Sequence, residues 1–566
     1  LLLLFSFSLP LFAQPLIYDA PLAGPLLVTG TFGELRSDHF HAGLDFRAQT
    51  GTPVMAVADG FVSRIRISGG GYGQAIYIDH PDGHRSVYGH LEVLAPELLD
   101  TVRARQYAGE EFRQDLRFDS TAYPVVRGQV IGGVGNRGHS FGAHLHFEMR
   151  LIAGDAPVNP LAFGFSVPDT RAPAVRQLRV YELDDHGLEV TTQTVVPTTV
   201  RGGGYEVRDT VIVASPRVGL SLKTYDRQNA MPNWNGIYGG SLYADTTLVF
   251  DFRFDLIPFE QTEYLNALTD YADWVKNTSW YHRFWALSPR QFLARPRDAK
   301  NVGGAGTYNG VLKLRPEKPL PVRMRVLDHA GNASDVALVL VYRPAAGTGA
   351  PHRPHQYLLP AGEASIIDKD DLRLELAADA LYRDCFFRYA RLPDRSSGVL
   401  SPTHQLHDHR TPLHGKARLS LRPFAEPGAS LRNHVYLGHC DTEGQRHSHG
   451  GRWGDDGRFT AAIPSFGDYA LYLDTLPPGI VINYFPAELR RAAGFSLLVE
   501  DEVSGGRLDY RGTVDGQWIL LEYDAKNNKL TYNFADGDFP PGKHRFVLEV
   551  QDARGNATSW ERRFRR

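Results

Sequence analysis

The sequence predicts a mainly β protein built from antiparallel sheets, and three observations carry that expectation. Its 566 residues include 56 glycines and 36 prolines, with 11% aromatics, a composition that favours many short strands and turns over long helices. Apolar and polar residues alternate with a period of two through a series of short segments separated by glycine turns. A strand ending in Asp-x-x-Gly-Asn-Ala-Ser/Thr occurs twice, at 321–334 and at 544–558.

The length corresponds to about three to five domains. Hydrophobic residues at 42% and charged residues at 22% are an ordinary globular balance. A formal net charge of -3 lacks the basic excess of a nucleic-acid binder. Two cysteines exclude a disulfide scaffold and a Cys-rich metal fold. Eight of the 22 histidines fall in the first 150 residues, which directs the search for chemistry there.

The chain opens LLLLFSFSLPLFAQPL. The apolar run 1–13 is shorter than the roughly 20 residues a membrane-spanning helix needs and has the length of a signal-peptide core, with Ala13 before the cut. No Met or positively charged stretch precedes it, so the leader is expected to be truncated. No later segment is apolar enough to span a bilayer. Export to a periplasm, cell envelope or extracellular space is expected, and there Cys385 and Cys440 have the option of pairing.

Residues 14–165 read as one module. Its clearest strands are 54–67, 74–80, 84–91, 125–135 and 144–151, with Gly69-Gly70-Gly71 and Gly132-Gly133 marking turns. Between 92 and 124 a charged stretch with helical spacing reads as an insertion. Pro168 and Pro173 suggest a boundary, and the remainder reads as β-sandwich-like modules at 166–345, 346–475 and 476–566. In the two Asp-x-x-Gly-Asn segments, Asp and Asn bond their own backbone and Gly supplies a positive φ, so a hairpin turn is expected. Too few oxygen ligands are visible in the sequence to argue for calcium there.

On a strand at 144–151, His144, His146 and Glu148 share one face while Leu145 and Phe147 take the other. Two imidazoles two residues apart on one face reach one small site. The block His41-Ala42-Gly43-Leu44-Asp45 adds a nitrogen and a carboxylate. Zinc takes such ligands, and a catalytic zinc keeps three protein ligands with water in an open position. His41, Asp45 and one histidine of the pair complete such a set. The remaining histidine and His90 are then free for proton transfer or charge stabilisation.

The run GTFGELRSDHFHAGLDFRAQTGTPVMAVADGFV, followed by GYGQAIYIDHPDGHRSVYGHL and VVRGQVIGGVGNRGHSFGAHLHFEMR, resembles the M23 family of zinc metallopeptidases over about 26–165. These are the lysostaphin-like and LytM-like peptidoglycan endopeptidases. The resemblance implies a LytM-like catalytic sheet and one zinc ion per chain, held by His41, Asp45 and His146. It implies catalytic assistance from His144 and His90. Ala143 departs from the family's usual proline before H-L-H, and the 92–124 insertion is a second departure that would cover or shape the cleft. The resemblance thus implies an exported zinc metalloendopeptidase acting on peptidoglycan peptides, with no nucleic-acid partner and with envelope proteins as candidate partners of the C-terminal modules. The other class of reading is a non-catalytic envelope scaffold with an inactive peptidase-like head.

Gly138-His139-Ser140-Phe141-Gly142 matches the nucleophile elbow of α/β-hydrolases, but a loop precedes it and a strand comes after it, where the elbow requires a strand and then a helix. His39, His80 and His84 are assigned no role, and His447 and His449 read as a solvated loop.

Overall fold

The computed structural model describes residues 18–287, 309–344, 353–392, 398–440, 446–501, 503, 508–537 and 539–566. The leader expected at 1–13 lies outside them. Within the described residues strands dominate, their pairing is almost entirely antiparallel, and no helix is long and apolar enough to cross a membrane.

The first module has twelve strands and one helix. In chain order they are β1 (Val28–Gly30), β2 (Leu44–Arg47), β3 (Pro53–Met55), β4 (Gly60–Ile67), β5 (Gln74–Asp79), β6 (His84–Gly89), β7 (Val93–Leu94), α1 (Pro96–Gly109), β8 (Gln114–Arg117), β9 (Pro124–Val125), β10 (Val130–Gly133), β11 (His144–Leu151) and β12 (Pro157–Val158). The main sheet runs β1-β2-β11-β6-β5-β4-β8, and a small sheet β3-β10-β7 packs beside it. The segment expected as one strand at 54–67 breaks into β3 and β4, because in the connection the Ala56 N–H donates to the Gln129 carbonyl and the Val57 N–H to the Tyr88 hydroxyl rather than to a neighbouring strand. Leu145, Phe147 and Met149 on one face of β11 are fully buried against Leu44, Phe46, Ile76 and Ile78. That apolar face anchors the strand and turns its polar face outward to a cleft.

The 92–124 segment contains α1 and then β8, which extends the sheet at β4. Its residues do not line the cleft described below. Arg103 and Tyr107 of α1 face the C-terminal strands instead, where Arg103 meets Glu522 at 2.9 Å and the Tyr107 hydroxyl donates to the Asp536 carbonyl. The physical reason is polarity. Helix α1 buries only Leu98, Val102 and Gln106, so its charged flank needs ionic partners.

Residues 174–342 form two sheets whose buried faces join the same continuous core as the first module, and so do the two four-stranded sheets within 479–565. Residues 357–473 have a separate core around Leu374, Leu419, Leu437 and Leu471. Cys385 is a free, buried thiol there; Cys440 ends a strand and its side chain lies outside the described residues. His447 sits on a short strand, Arg446–Ser448, rather than in a loop, since that segment pairs with Val435–Cys440.

The C-terminal strands grip the first module. Glu522 bridges Arg103 and Arg137, the latter at 2.6 Å. The Lys526 ammonium donates to the carbonyls of Asn136 and Ser140. Glu522→Ala leaves two guanidiniums facing one another, partly screened by Asp536 and Glu92. Losing two charge-assisted hydrogen bonds is expected to cost about 1–3 kcal/mol, read as a lower Tm of the full chain. An unchanged transition would show that this junction contributes no stability.

Candidate metal centre

The register of two strands builds the site. Antiparallel pairing of β11 with β2 sets His146 directly opposite Asp45, and pairing with β6 sets His146 opposite Gly89. His41 stands one turn before β2, where the loop 31–41 folds back on itself through the Leu35–Phe40 bridge. Gly43 between His41 and Asp45 is required sterically, because a Cβ there would collide with the Phe147 carbonyl oxygen on β11.

His41 Nε2, Asp45 Oδ1 and His146 Nδ1 approach one another at 3.0–3.1 Å. Each ring's other nitrogen is already committed. His41 Nδ1 donates to the Thr31 carbonyl at 2.9 Å, and His146 Nε2 donates to Glu148 Oε1 at 2.7 Å. Those bonds fix the proton each ring keeps when it is neutral, so on binding a cation the converging nitrogens present lone pairs that point, with a carboxylate oxygen, at one place. Three such atoms so close need a positive charge among them, either a proton on His146 or a bound cation. Two imidazoles and one carboxylate with outer hydrogen bonds fixing their orientation suit zinc in number and type, and the residues present fit such an ion.

The electrostatics agree. Burial would raise the Asp45 carboxyl, but the His41, His144 and His146 imidazoles around it hold it well below the usual carboxylate range. Burial would lower His146, but Asp45 and Glu148 outweigh it and bring the ring up to about 9. The centre attracts positive charge. Asp45 Oδ2 is held by Arg36 at 3.1 Å. Glu148 is fully buried, and against the opposing effect of burial Arg150 and His146 keep it ionised. The Tyr72 hydroxyl donates to it at 2.5 Å. Glu148 as a holder of His146 was not assigned from the sequence, although its place two residues along the same face was the available signal.

His90 and His144 complete the cluster. His90 follows β6 with a left-handed backbone, φ 61°, and its Nδ1 donates to the Arg137 carbonyl at 2.8 Å. Its ring centre lies 4.8 Å from that of His144 and 5.7 Å from that of His146. Burial, with His146 and His144 adding to it, pushes His90 down to about 3, so the ring is neutral. His144 Nδ1 donates to the Gly142 carbonyl at 2.8 Å, leaving Nε2 3.5 Å from Asp45 Oδ1. The structure thus brings all five residues singled out in the sequence to one place. They stand on an open cleft of about 1480 Å3 whose walls include Arg47, Arg66, Tyr72, Phe141 and, from the second module, Asn233.

Ser140 is buried, and its one hydroxyl proton has Asn136 Oδ1 at 2.7 Å as the nearer acceptor and the Gly142 carbonyl at 2.9 Å as the other. His144 Nδ1 lies 3.3 Å away but carries its proton for Gly142, so it offers the serine no base. His80 lies buried between the Asp59 carbonyl and Ser86 Oγ, and His39 and His84 pair with Asp38 and Asp82.

Comparison with known proteins finds likeness in two parts of the chain. Residues 39–117 match peptidase family M23, and residues 356–474 match a Zu5-like domain. The chain is 33% identical over 161 residues to the DD-carboxypeptidase/endopeptidase Mpg of Neisseria meningitidis serogroup B, covering 28% of this chain and 30% of that protein. It is 32% identical over 126 residues to lysostaphin of Staphylococcus staphylolyticus, covering 22% of each. The chain therefore spans under a third of the length of these relatives. A solved putative M23 peptidase from Pseudomonas aeruginosa aligns at 29% identity and a TM-score of 0.19, over 26% of this chain and 51% of that one.

Two outcomes are expected. Gly43→Ala should push β2 away from β11, cost about 1–3 kcal/mol as overpacking does, and lower metal content; full occupancy at an unchanged Tm would refute the steric account. Glu148→Gln keeps the volume but weakens the hold on His146, and a chelator competition should show metal affinity falling about 10–100-fold.

Proposed function

We propose that this chain, through its peptidase family M23 domain, is an exported zinc metalloendopeptidase that hydrolyses peptide bonds of bacterial peptidoglycan. The observation that carries the reading is the convergence of three oriented lone pairs, from His41, Asp45 and His146, beside two further histidines on an open cleft. His41, Asp45 and His146 are the residues that would hold the ion. Bound there, zinc supplies a Lewis acid that polarises a scissile carbonyl and acidifies water.

The chain's own residues do the rest. His90 and His144 each spend Nδ1–H on a backbone carbonyl, which leaves Nε2 as the proton acceptor. One of them takes the proton of the attacking water. The ring so charged then stabilises the developing oxyanion or returns the proton to the leaving amine. Arg47 and Arg66 on the cleft wall suit a substrate bearing carboxylates. The relatives' names, an endopeptidase and lysostaphin, support a peptidoglycan substrate. Export rests on the apolar leader, and the C-terminal β modules are the parts available to envelope partners.

Zinc content and turnover on purified peptidoglycan, followed by mass spectrometry of the released muropeptides, test the proposal. His41→Ala, Asp45→Ala and His146→Ala should lose metal and hydrolysis together. His90→Ala and His144→Ala should keep about one zinc while hydrolysis falls about a hundredfold or more. Ser140→Ala should retain most activity. Metal-loaded wild type that releases no fragment would favour the scaffold reading.

A further inference from the structure

The two Asp-x-x-Gly-Asn turns belong to a construction that the peptidase reading does not use. At the first, Asp328 of the turn meets Asp169 from the linker leaving the peptidase module and Asp226, which follows the strand Arg217–Tyr225. At the second, Asp552 meets Asp474 from the linker before 476 and Asp501, which follows the strand Gly494–Glu500. In each trio one oxygen per residue lies within 4.8 Å of the others.

The surroundings repeat as well. The linkers read Asp169-Thr170-Arg171-Ala172-Pro173 and Asp474-Thr475-Leu476-Pro477-Pro478. Asn332 Nδ2 donates to the Asp169 carbonyl and to Asp328 Oδ2, and Asn556 Nδ2 donates to the Asp474 carbonyl and to Asp552 Oδ2. Ser334 and Thr558 each donate to the carbonyl of the linker proline, at 2.6 Å in both. Linker, strand end and turn are thus tied together in the same way twice.

What these hydrogen bonds leave unmet points to a ligand. The first trio lines a cavity of about 100 Å3 together with Gln228. Gln228 is only 5% exposed, yet its Oε1 has no hydrogen-bond partner. Asp226 Oδ1, in a residue 2% exposed, also has none, nor have Asp474 Oδ2 and Asp501 Oδ2 at the second trio. No Lys, Arg or His pairs with any of the six carboxylates among the described residues. Buried acceptors without donors carry a desolvation penalty, and crowded carboxylates repel, which Arg171 near the first trio and Arg554 near the second offset only in part.

We propose that the Asp169–Asp226–Asp328 cluster, with Gln228, binds a calcium ion, and that the Asp474–Asp501–Asp552 cluster is its structural repeat. Only oxygens are offered, which selects a hard cation. Two oxygens on one calcium are at most about 4.6–5.2 Å apart, twice the Ca–O distance, and one oxygen from each carboxylate of a trio lies close enough to the others, within 4.8 Å, to share one ion. The cavity has room for the ion and one or two waters, each of roughly 30 Å3. Burial raises the Asp226 and Asp474 carboxyls, to about 7 and about 6, so the alternative to a cation is a proton. The first site also ties the linker to the peptidase module, because Thr31, whose carbonyl orients His41, and Phe32 line the same cavity.

The test is calorimetric titration of CaCl2 into the full chain, stripped by chelation and refilled with one zinc, with Tm recorded in parallel. Wild type is expected to take two calcium ions and to melt higher with them. Asp226→Asn and Asp474→Asn should each lose one, with affinity at that site falling about tenfold or more, and the double variant should lose both. His146→Ala should keep both, which separates this proposal from the peptidase reading. Calcium should also slow proteolysis of the wild-type linker at 166–173, a readout that needs no variant. The proposal is overturned if wild type shows neither heat nor a Tm change with millimolar CaCl2, or if Asp226→Asn retains its ion. It is overturned too if Asp226→Asn stabilises the chain without calcium sensitivity, the mark of a protonated cluster, or if MgCl2 substitutes at equal affinity.

Discussion

The pairing of β2 with β11 is the constraint on which the candidate metal centre depends. It puts His146 opposite Asp45, and a slip of one residue would turn His144, His146 and Glu148 into the apolar core and Leu145 and Phe147 into the cleft. Gly43 permits the close approach that brings His41 into the same corner. Two outer bonds, to the Thr31 carbonyl and to Glu148, then choose which nitrogen of each ring faces inward. A site held this firmly needs little movement of its side chains to meet a cation, although His146 must give up its proton to ligate one.

The second layer of control comes from far away in the chain. His90 is oriented by the Arg137 carbonyl and His144 by the Gly142 carbonyl, both on the loop 136–142. That loop is secured by residues of the C-terminal strands, through Arg137–Glu522 and through Lys526 to the carbonyls of Asn136 and Ser140. The final module therefore braces His90 and His144, while Gly236 of the second module, bonded through its N–H and its carbonyl to Thr31 Oγ1, holds the loop that orients His41. A chain whose first, second and last modules share one core transmits such bracing well, since packed interiors yield little to strain.

Much of this was legible in the sequence because it depends on local period. Alternation along 144–151 separated the polar face from the core face, and the strands at 74–80 and 84–91 stand within a residue or two of where the pattern put them. The helical spacing after 92 became α1. The break at 56–59 was not legible, because backbone bonds to the Gln129 carbonyl and the Tyr88 hydroxyl, from distant segments, have no local period. Nor was the role of the 92–124 segment, whose charged flank faces strands more than 400 residues away rather than the cleft.

Residue type and spacing were enough to set the mainly antiparallel β character and the side chains available for chemistry. How those side chains act together was left to the fold. Which nitrogen of His41 or His146 faces inward depends on acceptors supplied by other segments. Ser140 is held from acting as a nucleophile by the carbonyl that takes the His144 proton. The Asp-x-x-Gly-Asn turns, read alone, offered too few oxygens for an ion. Folding brings the missing carboxylates from a linker and a strand end, 159 and 102 residues before Asp328 by the numbering of Asp169 and Asp226. Convergence of that kind is set by chain topology, and no local pattern encodes it.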